Sequence, residues 1–282
     1  MALSTQASIA SYINKIFEDA RFVARDRNLM TQLVTLFSDD GYATREVPLW
    51  AQASATTVSE TQDYSNATLF DKSTLATFTP DEVMSQFVLT DRRLSTDPDT
   101  VQRAAIMELG MAIATKIDQD LTGLFSGFAN GKGTAGSALT IGHCAAAVAS
   151  VRYNYGVGDC NVVVNPYQWH QIWKLLGQPV ANQAFLGEAA NEALRNYFKG
   201  DLVDARWFST RNVQTNGSDD AYGAAFVREA LAFDVRDPMT LRTQRDESAR
   251  LTELNMHTGY AYGELRDAMG CYILSDASAP TS

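Results

Sequence analysis

A single uninterrupted helical stripe begins at Asp97-Pro98-Asp99-Thr100 and sets a minimum size for whatever this chain builds. Asp97 is suited to cap a helix, Pro98 has the fixed φ and missing N–H that fit the first helical position, and Asp99 complements the helix dipole. Val101, Ala105, Leu109, Ile113, Ile117, Leu121 and Leu124 then recur at spacings of four and three, with Arg103, Glu108, Lys116, Asp118 and Asp120 on polar positions. Running to Phe125 or Phe128, the helix makes a rod of roughly 40 Å at 1.5 Å per residue. That is longer than an ordinary globular helix. Gly127, Gly131, Gly133 and Gly136 predict a flexible loop after it.

Upstream of the rod, residues 42–91 are rich in Thr, Val, Ser and aromatic side chains and alternate as extended strands do. Residues 60–72 are polar and carry no helical stripe, so they read as the tip of a long two-stranded excursion. A two-stranded ribbon is marginal in water by itself. With Trp50, Tyr64, Phe70 and Phe78 along it, this ribbon has to bury its faces on something, and another chain is a candidate. Earlier still, Ile9, Ile13, Ile16, Phe17, Ala20 and Val23, then Leu29, Leu33, Leu36 and Phe37, keep close to the helical period. They predict one or two amphipathic helices over 5–37, packed either on their own domain or as an arm on a neighbour.

Beyond the glycines the pattern is mixed. Thr140 caps an Ala-rich helix ending near Tyr153, and Cys160 to Val164 is a short apolar strand. Asn165-Pro166 repeats the cap-then-proline device ahead of Trp169, Ile172, Trp173 and Leu176. A further helix is expected over 188–198, strands over 202–208 and 224–226, and a β-rich end over 230–236, 239–245, 251–262 and 269–274. Residues 276–282 read as an exposed tail.

The chemistry is notable for what is missing. Gly127-Phe-Ala-Asn-Gly131-Lys132-Gly133 departs from a phosphate loop: three residues intervene where four are needed, and a glycine stands where a hydroxyl must hold magnesium. His143, His170 and His257 have no metal-binding spacing, and Cys144, Cys160 and Cys271 form neither a CxxC knuckle nor a disulfide framework. Asp39-Asp40, Asp118-Asp120 and Asp219-Asp220 are explained by solvated faces and turns. The sequence therefore predicts no catalytic, cofactor or metal site. Against 23 Lys and Arg stand 33 Asp and Glu, and a net charge of -10 opposes binding of phosphate backbones by the bulk surface. Arg outnumbers Lys 17 to 6, a bias suited to contact surfaces. Residues 1–10 have no basic segment leading into an apolar run, so no secretory signal is expected, and no window reaches the ~20 apolar residues of a membrane span.

The element order (amphipathic arm, long β excursion, capped rod, mixed lobe, closing strands) resembles that of tailed-phage major capsid proteins with the HK97-like fold. The likeness is carried by Leu75-Ala-Thr-Phe-Thr-Pro-Asp-Glu82 leading into Val88-Leu-Thr-Asp-Arg-Arg-Leu94, by Glu108-Leu-Gly and Lys116-Ile-Asp118 on the rod, and by Val162-Val-Val-Asn-Pro166. Phe226-Val-Arg-Glu-Ala230, Arg245-Asp246, Arg250-Leu-Thr-Glu253 and Tyr260 to Gly263 continue it, so that it spans about 45–275. The resemblance implies an α+β fold with an N-terminal arm (1–41), an extended β-hairpin E-loop (42–91), a peripheral domain with the spine helix (92–136), a mixed α/β axial domain (137–223), peripheral return strands (224–275) and a tail (276–282).

It also implies a structural, non-enzymatic subunit that assembles as pentamers and hexamers into an icosahedral shell around double-stranded DNA. Scaffolding, portal and decoration proteins are possible partners, and no membrane is involved. Synthesis and assembly would take place in the host cytoplasm, and the destination would be the virion. Trp50, Tyr64, Phe70, Lys72, Phe78 and Met84 become candidate subunit contacts. Lys72, the one lysine of the presumed loop, gives no reason to expect covalent cross-linking. Only about 40 residues precede the excursion, so a long scaffolding segment is not expected. An encapsulin-type compartment and a cytoplasmic α/β enzyme are the competing readings.

Overall fold

The computed structural model describes residues 29–51, 53, 55, 57–58, 60, 69–95, 98–155, 158–176 and 201–280. Most of the expected arm, the capping Asp97, the ribbon tip with Tyr64 and the expected 188–198 helix lie outside the described residues. In chain order the elements are α1 (Met30–Leu33), β1 (Thr35–Ser38), β2 (Arg45–Trp50), β3 (Lys72–Phe78), β4 (Asp81–Thr90), α2 (Asp91–Leu94) and α3 (Pro98–Gly123). There follow β5 (Gly131–Gly133), α4 (Ile141–Tyr155), β6 (Cys160–Val164), α5 (Pro166–Leu176), β7 (Asp201–Leu202), β8 (Ala205–Ser209), β9 (Asp220–Val227), β10 (Leu231–Asp246), β11 (Leu251–Glu264) and β12 (Gly270–Asp276).

The expected rod is α3, extended by a 3-10 turn over Leu124–Gly127. Its buried face holds Ile106, Leu109, Ile113, Ile117 and Leu121, at the expected spacing of three and four, and it lies on β4 and β11. Each such side chain contributes about 1.5–3 kcal/mol on burial, so this seam anchors the helix far more than intrinsic propensity does. Beneath it is a four-stranded sheet ordered β1-β10-β11-β4, in which β1 runs parallel to β10 and the other pairs are antiparallel. The register of β10 slips between Val235 and Thr240, where Pro238 cannot donate to the ladder.

The second lobe is a six-stranded sheet ordered β5-β12-β9-β6-β8-β7. Its interior strand β6 is buried throughout, which explains the unbroken apolar run Cys160 to Val164. Asn165 starts α5 as expected: its Oδ1 accepts the Tyr167 N–H at 2.9 Å, and its own N–H donates to Gln168 Oε1 at 3.0 Å, a reciprocal cap. Trp169 is a core residue packed 5.5 Å from the Trp207 ring. Thr140 Oγ1 accepts the His143 N–H at 3.2 Å and starts α4. One continuous core joins both sheets.

Four local expectations are corrected. Residues Thr35–Ser38 form strand β1 rather than the end of a helix, because hydrogen bonding to β10 outweighs a spacing that only a few residues support. The glycine loop contains an ordered strand, β5, beside β12. There a Cβ on Gly131 would fall 1.9 Å from the Tyr272 ring, and Gly133 takes φ +84° against the Leu274 carbonyl. The segment expected as one strand over 202–208 is the hairpin β7–β8, turned by Val203 and Asp204, both at positive φ. Asp118 does not sit on a solvated face but is fully buried.

Candidate assembly surfaces

The two-stranded sheet β2–β3 pairs Arg45 with Phe78 at its root and Trp50 with Lys72 at its outer end. Near the root Arg45, Val47, Leu75 and Ala76 are partly covered; from Pro48 outward every residue of β2 is exposed. The ribbon thus leaves the body and loses cover as it goes. At the outer end the Trp50 and Phe70 rings stack, with centroids 5.1 Å apart and planes 6° from parallel. They remain 51% and 73% exposed, and Leu49 and Leu69 lie exposed beside them in the chain. Ring stacking adds about 0.5–1.5 kcal/mol. It leaves most of the apolar area in water, a standing incentive to bury it elsewhere.

The candidate contact residues separate into distinct places. Trp50, Phe70 and Lys72 are brought together at the ribbon's outer end. Met84 lies on β4, the terminal strand of the four-stranded sheet, 60% exposed and followed by exposed Phe87 and Val88. An exposed terminal strand is a template for added strands. Phe78 is a correction: at 2% exposure it is core, packed with Ala232 and Ala261 and fitted over Gly263, where a Cβ would stand 2.9 Å from its ring. Its place at the root, where the ribbon meets the main sheet, buries it within its own chain. Leu49 and Leu69 belong with Trp50 and Phe70 and were missed, because strand alternation gives no reason to suspect exposure on both faces.

Polar groups bind the pieces together. The Asp118 carboxylate, on α3, accepts N–H bonds from Met30 at 3.0 Å and Leu29 at 3.3 Å and an amide bond from Asn212 at 3.0 Å. Burial pushes its pKa upward against the pull of those bonds. Asp118 thereby ties the segment leading into β1 and the loop between β8 and β9 to the rod. The Tyr260 hydroxyl donates to Asp120 at 2.7 Å, and burial with that carboxylate raises its pKa. Arg245, near the β10–β11 turn, grips both oxygens of Asp91 at the start of α2, and its hydrogen bonds hold the Asp91 carboxyl below the usual range.

The thiols are inert by environment. Burial pushes Cys144 up to about 12 and Cys160 to about 11. A cavity of about 120 Å³ between α3 and the 212–214 segment is lined by Gln119, Thr122, Asn212 and Tyr222, with no paired acid and base. Among the described residues no three His, Cys, Asp or Glu side chains are grouped to hold a metal, and no helix is long and apolar enough to cross a membrane.

Fold and surface together define an α+β tile with a long helix along one sheet and an apolar ribbon reaching away from it. The family model described as "Phage capsid protein" matches residues 85–274, and the chain belongs to that family. No match is found among curated proteins. Among solved structures, the capsid of cyanophage P-SCSP1u matches with a TM-score of 0.69 at 12% identity, covering 89% of each chain. Mycobacterium phage Che8 matches at 0.65 and 18% identity over 82% of this chain and 84% of that one. A virus-like particle from Pyrococcus furiosus matches at 0.61 and 11% identity, over 93% and 99%. The fold is therefore HK97-like. The family match favours a phage capsid over a compartment shell.

Proposed function

We propose that this chain is the major subunit of an icosahedral head enclosing the double-stranded DNA of a tailed phage, and that its function resides in contacts between copies. One observation carries the reading: the ribbon's outer end presents a stacked aromatic pair, 51% and 73% exposed, and two exposed leucines beside it. A second copy covering that surface would bury the apolar area, and repeated heterologous contacts of this kind close into rings and a shell. In this reading 42–91 is the loop that clasps the neighbour, with its last strand β4 anchored on β11 of the body, 92–136 and 224–275 form the peripheral body, 137–223 gathers around the symmetry axes, and 1–41 is the arm.

The subunit performs no catalysis. Scaffolding, portal and decoration proteins are the partners such a shell would use, and assembly would take place in the host cytoplasm before the particle is released as a virion. A net charge of -10 suits a wall that encloses DNA without gripping it. The test is electron microscopy of purified, nuclease-treated particles. Closed polyhedra of uniform diameter holding protected DNA are expected; a stoichiometric protein cargo or a small soluble oligomer would refute the proposal. Trp50→Ser with Phe70→Ser is expected to leave the subunit folded and to cut particle yield.

A further inference from the structure

The ribbon joins the body at two residues that face each other in register, Arg45 and Phe78. Phe78 is fixed in an apolar socket. Arg45 is held by charge: its Nε donates to Asp234 Oδ2 at 2.9 Å, its Nη2 lies 3.4 Å from Asp39 Oδ2 and from the Ser38 carbonyl, and its guanidinium stands 5.1 Å over the Phe37 ring. Asp234, on β10, is 0% exposed, and the same Oδ2 accepts a second bond from Arg236 Nε at 2.8 Å. Arg236 Nη1 also reaches Asp39 at 3.6 Å. Asp234 Oδ1 is buried and accepts no hydrogen bond among the described residues.

Removing one partner of a buried ion pair is ordinarily expensive, because the remaining charge stays buried and unpaired. Here Asp234 is paired with Arg236 as well as with Arg45, and Arg45 also touches Asp39, whose side chain is exposed. A buried charge is never left alone. We propose that Arg45, held at once by buried Asp234 and by exposed Asp39, is a latch that sets the angle of the ribbon against the main sheet, with Phe78 as the fixed pivot. The latch serves the clasping role proposed above, since the angle at the root decides where the Trp50–Phe70 patch is presented.

The test uses spin labels on the exposed positions Thr74→Cys of β3 and Gln244→Cys of β10 in the unassembled full chain, where the three native cysteines are buried. The parent is expected to give one narrow distance distribution. Arg45→Met, which keeps the stem and removes the charge, is expected to broaden and shift it, with the far-ultraviolet circular dichroism unchanged; Arg45→Gln repeats the test with a soluble neutral side chain. Asp39→Asn is expected to leave the distribution narrow, because the 2.9 Å bond from Arg45 Nε to buried Asp234 remains. A distribution already broad in the parent, or one left unchanged in both Arg45 variants, overturns the latch. Particle counts by microscopy report separately on the shell: a parent that builds no particles would refute the shell-building role without touching the distance result.

Discussion

Replacing Asp118 by alanine isolates the joint between the rod and the segment that precedes β1. Three donors lose their acceptor: the N–H of Met30, a fully buried residue, the N–H of Leu29, a partly exposed one, and the side-chain amide of Asn212. A buried donor left unpaired costs about 1–3 kcal/mol, and one that water can satisfy costs little. Relief of the carboxylate's own burial, which already pushes its pKa up, offsets part of this. The expected net loss is about 2–4 kcal/mol, with Asp118→Asn between parent and Ala because an amide keeps one acceptor oxygen and turns an N–H toward a donor. Hydrogen exchange of a fragment covering 29–34, followed with urea unfolding of the unassembled subunit, reads both the local and the global effect. Exchange there unchanged, together with a stability loss under about 0.5 kcal/mol, would refute the claim that Asp118 organises this segment.

Ile113→Asp places a charge at the centre of the rod's buried face and is expected to cost at least about 4 kcal/mol, abolishing soluble expression; a soluble variant that assembles normally contradicts the packing of α3. Phe78→Ala empties the socket over Gly263 and is expected to cost about 3–5 kcal/mol by urea unfolding, whereas a loss below about 1 kcal/mol would mean the pivot is not packed as described. The Asp91–Arg245 clasp has a definite pH sign. Because the folded Asp91 carboxyl titrates below its unfolded value of 3.8, its contribution is present above that pH and is lost as the pH falls through the lower folded value. The Tm difference between parent and Asp91→Asn is therefore expected to be constant at neutral pH and to shrink only in strong acid; a difference that vanishes near pH 6 contradicts the assignment.

What could be read in advance follows the range of the forces involved. The rod, β6 and the Asn165–Pro166 start of α5 were legible because a cap, a proline and an apolar period are local signals that agree with one another. β1 was misread because Leu33, Leu36 and Phe37 fit a helical spacing over too few residues, while its partner β10 lies almost two hundred residues away. β5 was hidden for the opposite reason: its glycines look like a loop, yet the close approach of Tyr272 and Leu274 requires them. Asp118 and Asp120 carry no local hint of burial, since their partners Met30 and Tyr260 come from distant segments.

Of the candidate contacts, aromatic content alone marked Trp50, Phe70 and Phe78 alike. Only the register of the ribbon separates an outer end in water from a root in the core. That register also fixes the extent of the ribbon: β4, grouped by sequence with the same excursion, is hydrogen-bonded to β11 along its whole length.

Hydroxyl-radical footprinting of Trp50 and Phe70, read residue by residue by mass spectrometry in unassembled subunits and in intact particles, bears most directly on the idea that the ribbon is completed by another copy. Strong labelling of both rings in the subunit and strong protection in the particle are expected. Equal labelling in the two states, or rings already shielded in the lone subunit, would contradict it.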